Sequence, residues 1–282
     1  MRAEQYQRHL DAVTDYIYAH LDDDLSLETL AHVSGFSRYH WHRIYRAVRG
    51  ETAAQAVRRL RLERAAAMLT ETSWSIERIA WKAGFTGTEI FSRAFLRSYG
   101  TTPGRFRTGG RPASIDSPVT RCGSGSTSSV REDPGWAVRV ETRCGYRLAV
   151  SEHRGSYMDI GRAFSRVKDR MGAGNSMVAI YEDDPDAVPP ADLRSAAGTV
   201  VDPGTKIPHD LTERMVPAGR YAIMRYIGPY SSMHDAYRWL YGRWLPSSGE
   251  EPRDYPIVEE YLTDPATTPP VHAVTDILLP LL

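Results

Sequence analysis

Cysteine is nearly missing from this sequence, with only Cys122 and Cys144 in 282 residues. There is no Cys-x-x-Cys pair and no Cys/His ligand spacing near either, which excludes a disulfide framework and a zinc site read from spacing. No metal and no cofactor are expected. Long apolar runs are also missing. Nothing approaches the roughly 18 consecutive apolar residues of a membrane helix, and the polar stretch MRAEQYQRHLDAVTDYIYAHL lacks the apolar core of a secretory signal. A soluble chain in a reducing, cytoplasmic setting is expected, with no membrane partner. Phosphate-binding loops, dinucleotide glycine fingerprints and Gly-x-Ser-x-Gly elbows are absent too, which removes the enzyme classes that depend on them.

Net charge is the last thing lacking, and here the absence misleads. The total is zero, yet residues 26–111 carry a net +9 and residues 112–282 a net −5. Such segregation predicts a polyanionic partner for the first part only. Between the two parts, TGGRPASIDSPVTRCGSGSTSSVREDPG has no sustained apolar period. Its Gly, Ser, Thr and Pro content reads as a tether. The expected division is therefore residues 1–107, a tether at 108–135, and residues 136–282.

The first part repeats itself. Ser26-Leu27-Glu28-Thr29-Leu30-Ala31 followed by Ser34-Gly35-Phe36 returns as Ser75-Ile76-Glu77-Arg78-Ile79-Ala80 followed by Ala83-Gly84-Phe85. Past a one-residue insertion, Arg43 aligns with Arg93 and Gly50 with Gly100. Each copy has a serine to cap a short helix, a glycine for a positive-φ turn, a phenylalanine beneath it, and a second, more basic helix. Between the copies, residues 53–69 read as one long helix free of Gly and Pro. A helix-turn-helix pair on a rigid spacer is the expected result.

On these residues, and on the closing Gly100-Thr101-Thr102-Pro103-Gly104-Arg105-Phe106-Arg107, the first part resembles the DNA-binding domain of AraC/XylS-family regulators. The resemblance implies double-stranded DNA as partner. It also implies base-reading side chains on both basic helices: Arg38, Tyr39, His42 and Arg43 from the first copy, Thr88, Glu89, Ser92 and Arg93 from the second. Either arginine suits a bidentate contact to guanine or a phosphate, and Glu89 suits the amino group of cytosine. Tyr39 is read as packing on a thymine methyl or inside the core. His40 and His42, two apart on a helix, point away from each other and do not make a metal pair.

The second part is also duplicated. Arg147-Leu148-Ala149-Val150, Gly155-Ser156-Tyr157, Ile160, Ala163-Phe164 and Val167 recur at a constant offset of 73 as Arg220-Tyr221-Ala222-Ile223, Gly228-Pro229-Tyr230, Met233, Ala236-Tyr237 and Leu240. Each copy reads as strand, turn, helix, then strands. The fold class expected for the whole chain is α+β with two domains: an all-α double helix-turn-helix, then a duplicated βαββ antiparallel sheet with its helices on one face.

The paired Gly-x-Tyr turns and the run Pro256-Ile257-Val258-Glu259-Glu260-Tyr261-Leu262 resemble the GyrI-like effector-binding domain of Rob-type and BmrR-type regulators. The resemblance implies a small lipophilic effector, often cationic, that meets Glu259 with Tyr261 beside it. Ala196 stands where many members carry an acidic residue. From the residues themselves, Tyr157, Phe164, Tyr181, Tyr230, Trp239, Trp244, Tyr255 and Tyr261 offer aromatic faces, and beside a carboxylate such faces suit a flat or cationic guest. Glu260, one step along the strand, should face the other way and serve as a control.

The main expectation is a DNA-binding transcription regulator of the cytoplasm and nucleoid that senses a small molecule, with RNA polymerase as a further partner. Two alternatives stay open. The second part could hydrolyse a strained, cyclopropane-type electrophile, with Glu259, Tyr157 and Tyr230 as its catalytic groups. It could instead be a purely protein-binding module.

Overall fold

A computed structural model describes residues 2–23, 25–109, 135–172, 176–264 and 267–282. Residues 110–134, which hold most of the expected tether and Cys122, lie outside the described residues. Among the described residues no helix is long and apolar enough to cross a membrane. Cys144 is exposed and unpaired.

The chain forms two compact units. One takes residues 1–10, 31–53 and 135–282; the other takes 11–30 and, of the described residues beyond 53, those up to 109. The contacts therefore do not divide the chain at 107 and 136. The reason lies in α3, whose outer face is covered by residues of the C-terminal part, as set out below.

Among the described residues seven helices precede the sheet: α1 (Arg2–Ala19), α2 (Leu27–Ser34), α3 (Trp41–Arg49), α4 (Ala53–Glu71), α5 (Ile76–Lys82), α6 (Thr88–Tyr99) and α7 (Pro103–Gly109). The expected repeat is present in detail. Ser26 Oγ accepts from Thr29 N, and Ser75 Oγ accepts from Arg78 N. The turn glycines Gly35 and Gly84 take φ +67° and +73°, a region closed to most side chains. Both second helices end on a left-handed glycine, Gly50 and Gly100. Phe36 stacks on Tyr6 and Phe85 lies edge-on to Phe91. In the second unit Leu62, Leu69, Ile79, Phe91, Phe95 and Phe106 close an apolar core.

The sheet has eight strands: β1 (Val138–Arg143), β2 (Tyr146–Arg154), β3 (Met177–Tyr181), β4 (Arg194–Val201), β5 (Thr212–Val216), β6 (Gly219–Ile227), β7 (Ile257–Tyr261) and β8 (Val274–Pro280). Their order is β1-β6-β8-β7-β3-β4-β2-β5, and every pair is antiparallel. The duplication explains this order. β2-β4-β3 and β6-β8-β7 are equivalent triplets, and each receives its edge strand from the other half, β5 on β2 and β1 on β6. The halves meet where β3 pairs with β7, in a register that sets Ala179 opposite Glu259.

Alternation along the strands sorts side chains to two faces. Leu148, Val150, Val178, Ile180, Tyr221, Ile223, Val258 and Leu278 pack together on one. The other carries the helices α8 (Gly161–Met171) and α9 (Met233–Trp239). Beyond α9 the chain widens into a π-helical turn, Leu240–Trp244, before the short α10 (Leu245–Ser248).

Candidate functional site

A cavity of about 390 Å³ lies over the junction of β3 and β7 on the helix-bearing face. Glu259 stands at its floor with 4% of its surface exposed. Its counterpart across the pseudo-twofold is Ala179, so a single carboxylate occupies the centre, with room left opposite it. Tyr237 Oη donates to Glu259 Oε1 at 2.5 Å and Tyr261 Oη to Oε2 at 2.9 Å. Tyr261 has one proton and gives it to Glu259, so Tyr181 donates in the 2.8 Å contact between the two hydroxyls. Burial raises the Glu259 carboxyl above its ordinary pKa, and the two tyrosine hydrogen bonds, with the charge of Arg43, only partly offset this.

Around this floor, Tyr157, Tyr230, Phe164, Ile160 and Met233 supply apolar walls. Phe164 and Tyr230 pack edge-on or tilted against Tyr261. The hydroxyl of Tyr157 is held by the backbone. It lies 2.9 Å from the Asp183 carbonyl and 3.0 Å from that of Arg194, and it accepts from Asp183 N.

The structure thus brings together Glu259, Tyr261, Tyr157, Tyr230, Phe164 and Tyr181, and leaves out three aromatic residues named from the sequence. Trp239 lies two residues past Tyr237, on the opposite side of α9, edge-on to Trp136. Trp244 would share the face of Tyr237 in an unbroken α-helix, but the π turn shifts its phase. Tyr255 precedes β7 in a bend, packs on the other face of the sheet and donates to the Met215 carbonyl. Ala196, on the same face as Ile180, is also turned from the cavity. Glu260 faces away as expected, yet it is no neutral control. It takes two hydrogen bonds from Arg143 and one from Tyr146. Tyr237 was missed, although the repeat signals it as the counterpart of Phe164.

The DNA-reading candidates fall into two environments. On α6, Thr88, Glu89 and Arg93 are exposed and Ser92 is half-buried. Arg93 lies 3.4 Å from Glu89 of its own helix. On the first copy the helix begins at Trp41, so Arg38 and Tyr39 belong to the preceding turn, where Arg38 lies over the Tyr39 ring. Trp41, Ile44 and Tyr45 form the buried face of α3. Its other face meets the sheet domain. Arg43 Nη2 donates to the Asp183 carbonyl at 2.6 Å, and its guanidinium lies over Tyr237, 4.9 Å from the ring centroid. Arg46 pairs with Asp186. His40 is fully buried between the Tyr241 hydroxyl and the Tyr255 carbonyl, at 2.7 and 2.9 Å. Burial, with the charge of Arg43, lowers its pKa from 6.5 to about 3; His42 is lowered to about 4, again mainly by burial. Arg43 and Arg46 line the cavity.

A repeated helix-turn-helix beside a duplicated sheet with a tyrosine-walled cavity defines a class, that of helix-turn-helix proteins carrying a small-molecule-binding fold. The model of the GyrI-like small molecule binding domain matches residues 137–282, more than half of the chain, and that of a helix-turn-helix domain matches residues 30–109. The chain belongs to the GyrI-like family, with an AraC-type helix-turn-helix ahead of the sheet. It is 36% identical over 103 residues to the HTH-type transcriptional regulator YbfP of Bacillus subtilis, covering 36% of this chain and 35% of that protein. It is 31% identical over 102 residues to the regulatory protein SoxS of Salmonella typhimurium, covering 36% of this chain and 95% of that one. The match thus spans about a third of the Bacillus protein. The solved EcmrR C-terminal domain aligns at 14% identity and a TM-score of 0.44, covering 52% of this chain and 98% of that one.

Proposed function

We propose that the protein is a ligand-responsive transcription regulator. Residues 1–107 bind double-stranded DNA through the helix-turn-helix pair, with Arg38, Tyr39, His42, Arg43, Thr88, Glu89, Ser92 and Arg93 as its reading groups. Residues 136–282 bind a small lipophilic cation in the cavity over Glu259. RNA polymerase is a further proposed partner, as for any regulator acting at promoters.

The observation that carries the reading is the buried carboxylate of Glu259 at the floor of a tyrosine-walled cavity, which Asp184 and Asp186 also line. A buried carboxylate is costly to desolvate, and a cation with apolar faces compensates it while stacking on tyrosine. Benzyltrimethylammonium and its carbon isostere neopentylbenzene test this by calorimetry. Glu259→Gln should weaken the cation tenfold or more and leave the isostere unchanged. Cation affinity should also fall as pH drops through the raised pKa of Glu259, because the protonated acid offers no charge. Equal losses for both probes would mean that shape alone selects the guest.

The hydrolase alternative draws no support from the comparisons. The Tyr157 hydroxyl, committed to backbone groups of Asp183 and Arg194, is poorly placed to serve as its acid.

A further inference from the structure

We infer that the first reading helix is held by the sensing domain as an internal stand-in for the ligand, so that a lipophilic cation and α3 compete for one site and the cation releases α3 for DNA. This rests on the function proposed above and specifies how the two activities are coupled.

The contact has the features of a built interface. Two basic side chains on the outer face of α3 are engaged by the sheet domain: the reading residue Arg43 by the Asp183 carbonyl, and Arg46 by the Asp186 carboxylate. Both partners belong to the acidic run Glu182-Asp183-Asp184-Pro185-Asp186, which meets Arg43 with a backbone carbonyl and Arg46 with a carboxylate. Ser37 Oγ donates to Asp254, and His40 fills a closed socket between Tyr241 and Tyr255. Close backbone approach depends on Gly242 in the π-helical turn. A Cβ there would stand 3.0 Å from Ala47 Cβ and 3.1 Å from the Ala47 carbonyl oxygen. π-helical turns inside α-helices often mark functional sites.

The coupling follows from charge. The guanidinium of Arg43 lies on the face of Tyr237, the residue that also donates to Glu259. It is a cation already present in the cavity wall, and its charge acts on Glu259. A second cation in a cavity of about 390 Å³ meets repulsion from Arg43 and competes for the same aromatic face. The guest therefore binds more tightly when α3 has left. By linkage, the departed state, with α3 free for a major groove, is favoured by cation and DNA alike, so each strengthens the other.

The experiment uses the full chain and a duplex that it selects from a random pool. Dissociation constants are read by fluorescence anisotropy in the presence and absence of benzyltrimethylammonium or neopentylbenzene. In wild type the cation should tighten DNA binding at least fivefold and the isostere should not. Gly242→Leu, which wedges α3 from its seat without touching a reading residue, should bind DNA at least tenfold tighter than wild type and lose its response to the cation. A folded Gly242→Leu with wild-type affinity would overturn the proposal, as would a cation that weakens DNA binding. If Gly242→Leu does not fold, the wild-type cation arm decides alone. If neither protein captures any duplex, the regulator reading itself falls, and the calorimetry on Glu259 then shows whether the sensing half survives it.

Discussion

The two reading helices come from one repeated unit, and their outer faces have diverged. Arg43 aligns with Arg93, and the first is bonded to Asp183 while 72% of the second side chain is exposed. His40 aligns with Ile90, and the first is fully buried while the second is 47% exposed. Ala47, in close contact with Gly242, aligns with the exposed Arg97. The inner faces did not diverge: Trp41 and Phe91, or Tyr45 and Phe95, are equally buried. A helix-turn-helix needs its inner face for the core. Its outer face is free to meet DNA or another part of the protein, and here each copy meets a different surrounding.

The largest expected effects come from the paired arginines. Arg93→Ala in the full chain should weaken binding to a selected duplex by about 1–3 kcal/mol, with or without the cation. Arg43→Ala should cost as much only with the cation present. Without it the same change also loosens α3 from Asp183 and Tyr237, and that gain offsets part of the lost DNA contact. Anisotropy titrations of the four combinations give the answer. If Arg43→Ala and Arg93→Ala lose the same affinity under both conditions, the outer faces are equivalent in solution and the comparison collapses.

Much of this was legible in the sequence, and the residues show why the rest was not. Offsets of 49 and 73 residues revealed both duplications, because a repeat preserves its caps, turn glycines and core positions. Glu259 and Tyr261 were found through the resemblance of residues 256–262 to the GyrI-like domain, and strand alternation, a local rule, set Glu260 on the opposite face. The cavity walls were less visible. Aromatic character selected Trp239, Trp244 and Tyr255, while helix phase and a π-helical turn decided which rings face inward. The seat of α3 was invisible, since it joins Arg43 to Asp183 and His40 to Tyr241 across long separations. No local pattern distinguishes a basic helix awaiting DNA from one already held by an acidic loop.

Acid should strain the first copy and spare the second. His40 is neutral, with Nε2–H donating to the Tyr255 carbonyl and Nδ1 accepting from the Tyr241 hydroxyl; Arg43 is the nearby charge that adds to the burial effect. Its folded value of about 3 lies below the ordinary 6.5, so its stabilisation is complete above pH 6.5 and is lost as pH falls towards 3. Between pH 7.5 and 5 that loss is about 2 kcal/mol. Urea unfolding of wild type should show it, and His40→Gln, which cannot take up the proton, should have a flatter dependence. Ile90→His, at the exposed equivalent position, should add no such dependence. Parallel pH profiles for wild type and His40→Gln would mean that the socket around His40 is open to water.

The smallest effect should come from Glu89, whose place in the first copy is taken by Tyr39. The Glu89–Arg93 pair spans one turn of α6 with 83% and 72% of the two side chains exposed. Pairs of this kind contribute roughly 0.3–0.5 kcal/mol, and an acid in the first turn of a helix adds a similar amount. Glu89→Gln should therefore shift the urea midpoint only slightly. Its effect on DNA should have the opposite sign on random duplexes, where the carboxylate repels phosphates and glutamine does not. Random-sequence affinity should rise and its salt dependence steepen, while preference for the selected duplex narrows. None of these changes should depend on the cation, because the outer face of α6 is exposed. A response of Glu89→Gln to benzyltrimethylammonium would show that the second helix is gated as well, and the difference between the two copies would then be one of degree.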